Sequence, residues 1–115
     1  MRDDKIYILH IRDSINAIKK YTKTMNKEAF LEDELVQNTV IRQIQIIGEA
    51  SKNLSKELRK KYKHIPWKEI VGMRNILVHK YFGIDLTSVW KAVKEDIPEL
   101  ENAVLNILAD IDKLG

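Results

Sequence analysis

The residues Leu86, Val89, Trp90, Val93, Ile97, Leu100, Val104, Ile107, Ile111 and Leu114 follow one another almost entirely at steps of three and four. Such a stripe fits the 3.6-residue period of an α-helix, because a half-buried strand needs apolar side chains at every second position. No other part of the chain sustains strand-type alternation, so the sequence specifies an all-α fold. Pro98 falls inside the stripe and predicts a kink or a restart there, with Asp96 and Glu99 spaced as a capping pair for the new turn.

Further segments repeat the pattern. Residues 3–22 place Ile8, Ile11, Ile15 and Ile18 on one side, with Asp3 and Asp4 suited to the positive end of the helix dipole. Asn26 is placed to cap a short turn through Phe30. From about Asp33 a long seam runs through Val36, Val40, Ile44, Ile47, Ser51, Leu54 and Leu58; Ile41 and Ile46 widen it, which predicts contact with more than one neighbour. Gly48 in its middle costs about 1 kcal/mol against Ala and predicts a close backbone approach; the wide face of helix 33–54 is the candidate dimer face, with packing inside one chain as the near-equal alternative. Ser55 starts a further turn, and Pro66 ends that turn or opens a helix reaching about Lys80, with Gly83 placed to receive its end. The expectation is one domain over 1–115, an up-and-down bundle of four to five helices.

Composition narrows the function classes. A chain of 115 residues can bury roughly two-thirds of its unfolded surface and hold one core without metals or bridges. The absence of Cys removes disulfide frameworks, thiol catalysis and thiolate zinc sites, and fits a reducing compartment. The opening MRDDKIYIL has neither a basic nor an apolar signal region, and no stretch approaches a membrane span, so the expected place is the cytoplasm, with no membrane partner. Residues 81–115 are net −4 and the first 80 net +7, an asymmetry that suits a phosphate-bearing partner. Glu32, Asp33 and Glu34 read as a helix-start dipole interaction, and the basic stretch from Lys52 to Lys63 as a solvated face or a guide for a nucleic-acid backbone.

The chain has no Gly-rich phosphate loop, HExxH, EF-hand loop or GxSxG. His10, His64 and His79 lie far apart without Asp or Glu in ligand spacing, so neither a metal site nor a cofactor is expected. The segment GMRNILVHKYFG, residues 72–83, is the unusual one: Arg74, Asn75, His79 and Tyr81 bring a guanidinium, an amide, an imidazole and a phenol within eight residues. At 100° per residue Asn75 and His79 are about 40° apart, whereas Arg74 and His79 are about 140° apart. For both to serve one small target, the helix end distorts, or the Arg side chain wraps, or two copies of the helix meet. A helix-end Tyr and Phe are also ordinary core anchors.

The pattern Arg74-Asn75-x-x-x-His79-x-Tyr81 resembles the Arg-x(4–6)-His motif of the HEPN superfamily, in its HepT form with a terminal His-x-Tyr. The blocks VIRQIQIIGEASKNLS (40–55), IPWKEIVGMRN (65–75), HKYFGIDLTSVW (79–90) and EDIPEL (95–100) extend that resemblance over nearly the whole chain. Gln45 stands where the family pattern often has Glu, and Lys80 where it commonly has Gly.

The resemblance implies a small all-helical homodimer, the toxin of a type VII toxin–antitoxin module whose antitoxin partner is a minimal nucleotidyltransferase, alone or in a larger hetero-oligomer. It implies a metal-independent RNA endonuclease with Arg74 and His79 as the catalytic pair in a cleft at the dimer interface, and Tyr81 as the tyrosine that the antitoxin modifies with AMP. Asn75, Arg42 and Lys80 are supporting candidates for RNA binding. The competing expectation is a non-catalytic helical dimer that binds nucleotide or substrate for a partner nucleotidyltransferase.

Overall fold

The first helix, α1 (Arg2–Thr22), buries Ile8, Ile11, Ile15 and Ile18 to 1% exposure or less, as their spacing predicts. Each such side chain contributes on the order of 1.5–3 kcal/mol, so this stripe outweighs any surface pairing along the helix. The computed structural model describes the backbone over 2–79 and 85–114 and side chains over 3–73 and 85–113. Asn26 caps α2 (Lys27–Glu32) by accepting the Ala29 N–H at 2.8 Å. Asp33 caps α3 (Glu34–Lys52) by accepting the Val36 N–H at 3.0 Å. Phe30 fastens the short α2 to the core, its ring centroid 5.2 Å from that of Trp90.

Helix α3 is the central rod. Its buried residues Val40, Ile41, Ile44, Ile47, Ala50 and Ser51 are divided between α1 and α5, which is the double contact that the breadth of its apolar surface predicts. The same packing decides between the two readings of that face: Ile44 is 1% and Ile47 0% exposed within a single chain, so they belong to the core and not to a dimer face. Amphipathic breadth measures how much surface must be covered and is silent on whether the cover comes from the same chain.

Beyond α3, Ser55 caps α4 (Lys56–Lys61), its Oγ accepting the Leu58 N–H at 3.1 Å. Pro66 lies immediately before α5 (Trp67–His79), its carbonyl accepting the Ile70 N–H at 3.1 Å. Asp85 caps α6 (Leu86–Lys91) through the Thr87 and Ser88 N–H groups. Gly83, the expected end of the preceding helix, lies outside the described residues.

From α6 the chain continues through a π-helical turn, Ala92–Asp96, into α7 (Ile97–Leu114). Here the structure corrects the expected restart. Asp96 sits inside continuous helix, and the Ile97 N–H donates to the Ala92 carbonyl, an i→i+5 bond. In a regular helix the Pro98 ring would press on the carbonyl of Lys94 and leave it without a donor. The wider turn just before the proline relieves that conflict, and the rod runs on.

Three polar ties fix the helix directions. The start of α1 meets the end of α3 through Asp4, which is 3% exposed and accepts the Ser55 N–H at 2.8 Å and the Ser55 hydroxyl at 2.6 Å. Asp4 keeps the first-turn position that suits the helix dipole and adds this contact to it. Lys19 pairs with Glu101 at 2.8 Å and Lys5 with Asp112 at 3.5 Å. Helix α1 therefore runs antiparallel to both α3 and α7, and α5 returns along α3. The molecule is an elongated helical bundle of 45 × 29 × 20 Å. Among the described residues no helix is long and apolar enough to cross a membrane.

Candidate functional site

Helix α5 carries the Arg-x4-His segment, and its first turns explain how that segment is held. Trp67 is buried and its Nε1–H donates to the Tyr62 carbonyl at 3.2 Å, while Ile65 and Ile70 pack into the core on either side. Tyr62 in turn donates its hydroxyl to Asp110 of α7 at 2.6 Å. Burial, followed by the hydrogen bond and charge of Asp110, pushes the Tyr62 phenol up from 10.0 to about 12. The base of α5 is thus fastened to α4 and α7 before the chain reaches Met73, which is half-buried against the core.

Arg74, Asn75 and His79 lie in the second half of α5, in the order that the sequence predicts. The backbone is α-helical through His79, so positions 74 and 79 keep their separation of about 140° and positions 75 and 79 their 40°. Distortion of the helix between Arg74 and His79 is therefore not what reconciles them; a wrapped arginine and a second copy are the two routes left. The side chains of 74–79 lie outside the described residues, as do Lys80 and Tyr81 altogether.

Arg42 is exposed on α3, the helix against which α5 packs. Gln45 is half-buried and follows at i+3, with Glu49 at i+7, so the three share one stripe of α3. The other two histidines stand apart from this region of the chain: His10 is exposed with its ring edge-on to Tyr7 at 6.2 Å, and His64 is exposed and edge-on to Tyr62 at 6.4 Å. Among the described residues, no three His, Cys, Asp or Glu side chains converge in a way that would hold a metal ion.

One feature of the site escapes motif reading. Gly72 lies inside α5, seven residues before His79 and therefore about 20° from it around the axis. A Cβ at Gly72 would meet nothing within 4 Å among the described residues. A helix-interior glycine costs about 1 kcal/mol against Ala, and here no neighbour within the described chain demands it. Among the described residues, the face of α5 shared by positions 72, 75 and 79 is open at position 72. The signal in the sequence is the glycine's i, i+7 relation to the histidine.

Comparison with known proteins gives a consistent picture. The family model described as "Ribonuclease HepT-like" matches residues 11–107. The chain is 51% identical over 112 residues to the Methanocaldococcus jannaschii protein named "Gamma-glutamylcyclotransferase and putative RNase MJ0434", an alignment covering 97% of this chain and 50% of that protein. It thus spans half the length of that relative. It is 44% identical over 103 residues to "Putative RNase MJ1380" of the same organism, covering 90% of this chain and 94% of the relative. It is also 44% identical over 100 residues to "Probable ribonuclease HepT" of Thermococcus cleftensis, covering 87% of this chain and 91% of the relative. No solved structure matches.

Proposed function

The chain belongs to the HepT-like ribonuclease family, and from that membership we propose that it is an endoribonuclease whose Arg74 and His79 form the catalytic pair. The observation that carries the reading is the placement of both residues on one regular helix, in the order and spacing of the family motif. RNA supplies its own nucleophile, the 2′-hydroxyl, so the protein needs only to move protons and to stabilise charge on the phosphate. Imidazole is the side chain whose unperturbed pKa lies closest to neutrality, and that of His79 takes the 2′-hydroxyl proton as that oxygen attacks phosphorus. The bond from phosphorus to the 5′-oxygen breaks, leaving a 2′,3′-cyclic phosphate, and the departing oxygen receives a proton from a second imidazole. Arg74 holds the phosphate oxygens through its planar fork and keeps its charge throughout.

A homodimer answers the angular problem. Two copies of α5 related by a two-fold axis supply two arginines and two histidines to a shared cleft, so the groups that act on one phosphate need not come from one helix aiming 140° apart. Gly72, where a Cβ would meet no atom of the described residues, leaves room in this reading for a phosphate backbone to approach that cleft. Asn75 orients His79 from one turn away, Arg42 and Lys80 add charge at the margin, and no metal or cofactor takes part. In this reading the protein is the toxin of a type VII toxin–antitoxin module in the cytoplasm, and its partner is a minimal nucleotidyltransferase that silences it by attaching AMP to Tyr81. The added bulk and negative charge close to the phosphate-binding arginine repel substrate.

The test is cleavage of total cellular RNA by purified protein in excess EDTA, with His79→Ala and Arg74→Ala alongside and folding verified by circular dichroism. Each substitution is expected to reduce cleavage by roughly 10²–10⁴-fold. Intact RNA after incubation with folded wild type, unmodified at Tyr81 by intact mass, would replace the nuclease with a nucleotide- or substrate-binding module for the transferase.

A further inference from the structure

Residues 52–68 hold seven bases and a single acid, Glu57, so this segment is net +6 while the whole chain is only +3. The rest of the protein is therefore net −3. The fold gathers this charge where α3 stops, α4 turns and α5 begins, and leaves Lys52, Lys56, Lys60, Lys61, Lys63 and Lys68 exposed. None of these six lysines pairs with a carboxylate among the described residues. Of the acids near this end, Asp110 is engaged with the Tyr62 hydroxyl, Asp112 with Lys5 and Asp4 with Ser55, which leaves Glu57 and Glu69 as the exposed acids beside the lysines.

The lysines are displayed from a fastened element. Leu58 is 1% exposed beneath α4, Ser55 caps its start, and the half-buried Arg59 donates from Nη2 to the Lys52 carbonyl at 2.6 Å, tying α4 to the end of α3. Crowding like charges on one short helix disfavours that helix, so folding alone gives no reason to collect them. An anionic ligand does. A folded protein partner would look for an apolar centre, and 52–68 itself carries no large exposed apolar side chain; Ile6, on α1 near the Asp4 that bonds Ser55, lies beside the patch and not at its centre.

We infer that this end of the bundle is a docking surface for the RNA strand running on from the cleaved phosphodiester, held through its phosphates rather than its bases. The inference rests on the ribonuclease reading and extends it to substrate length. Helix α5 (Trp67–His79) sets the distance: the eleven steps from Lys68 to His79 separate the patch from the histidine by about 16 Å at ~1.5 Å per residue. That span matches about five phosphates at the ~3.4 Å axial spacing of one strand in a duplex. A long RNA reaches both the motif and the patch, and a very short one reaches only the motif.

The experiment uses 2′-O-methyl RNA, which lacks the nucleophile, in oligonucleotides of about 20 and about 4 nucleotides, with binding to the full chain followed across roughly 50–200 mM salt. The variant Lys56→Ala/Lys60→Ala/Lys63→Ala is compared with Lys20→Ala/Lys23→Ala/Lys27→Ala, which removes equal charge around the far end of α1. The α4 variant is expected to bind the long RNA about tenfold more weakly, with its salt slope reduced by about 2, near 0.7 for each lost phosphate contact. The loss on the short RNA and in the far-end variant is expected to stay within about twofold. Equal losses in both variants, an unchanged salt slope, or wild-type binding to poly-glutamate as tight as to RNA would overturn the surface. Turnover plays no part in this measurement, so the two readings fail separately. The expected binding pattern without cleavage in EDTA would uphold the surface and remove the nuclease, and His79-dependent cleavage with identical binding by all variants would do the reverse.

Discussion

Asp4 and Ser55, fifty-one positions apart, close on each other so that one carboxylate accepts both the backbone N–H and the hydroxyl of the serine while that hydroxyl oxygen caps α4. Asp4→Ala leaves both donors without an acceptor at a site only 3% exposed, and is expected to cost about 2–4 kcal/mol. Ser55→Ala removes the cap and a donor to the carboxylate, about 1–2 kcal/mol. The double variant should lose less than the sum, by about 0.5–3 kcal/mol, in urea unfolding. Additive losses would show that the two residues act separately.

Burial of the Tyr62 phenol, together with its hydrogen bond to Asp110, makes stability fall in strong base. With the phenol raised from 10.0 to about 12 in the folded chain, the folded state favours the neutral form. The contribution is therefore fully present below pH 10 and is lost as pH rises toward 12. Tyr62→Phe should have a lower urea midpoint than wild type at pH 8, and the difference should narrow above pH 10. A constant gap across that range would refute the assignment.

Gly72→Ala should raise stability by about 0.5–1 kcal/mol, because the new methyl meets no described neighbour and the helix gains a better former. If the open face admits the RNA backbone, cleavage should fall in the same variant. Thermal unfolding and RNA cleavage measured on one preparation separate the two effects, and a destabilised Gly72→Ala would mean that the space is filled.

Ile44→Ala and Ile47→Ala each remove a side chain with 1% or less exposure from the centre of the core. Each is expected to cost about 2–5 kcal/mol on urea unfolding, including the cavity left behind. A cost below 1 kcal/mol would contradict their place between α1 and α5.

Tyr81→Phe should remain an active nuclease that the partner transferase and ATP no longer silence. Intact mass reports the modification and RNA cleavage the consequence. Silencing that persists in this variant would move the modified residue elsewhere.

The caps at Asn26 and Ser55 were legible in the sequence because a cap is decided within four residues, whereas Asp33, the cap of α3, reads there only as one of an acidic run at a helix start. The core stripes of α1 and α7 were legible for the same reason, since period 3.6 is local. Asp4 was not: its acid suits a helix start by itself, and its real partner lies across the fold. The continuous helix through Pro98 was hidden because proline signals a break and the relief comes from a backbone hydrogen-bond shift with no residue signature. The breadth of α3 announced two neighbours without saying that both come from the same chain. At the site, the order Arg74, Asn75, His79 was plain, while the open space at Gly72 depends on which helices flank α5.

The π-turn at Ala92–Asp96 holds one residue more than a regular turn needs, and everything downstream is geared to that surplus. Removing a single residue there would let the rod close into ordinary α-helix but would rotate α7 by about 100° relative to α6. Glu101 would swing off Lys19, Asp112 off Lys5, and Val104 and Ile107 out of the core, although no side chain in any of those contacts had changed. The stretch between Trp90 and Ile97 is therefore a counted interval: it tolerates changes of residue and not changes of length.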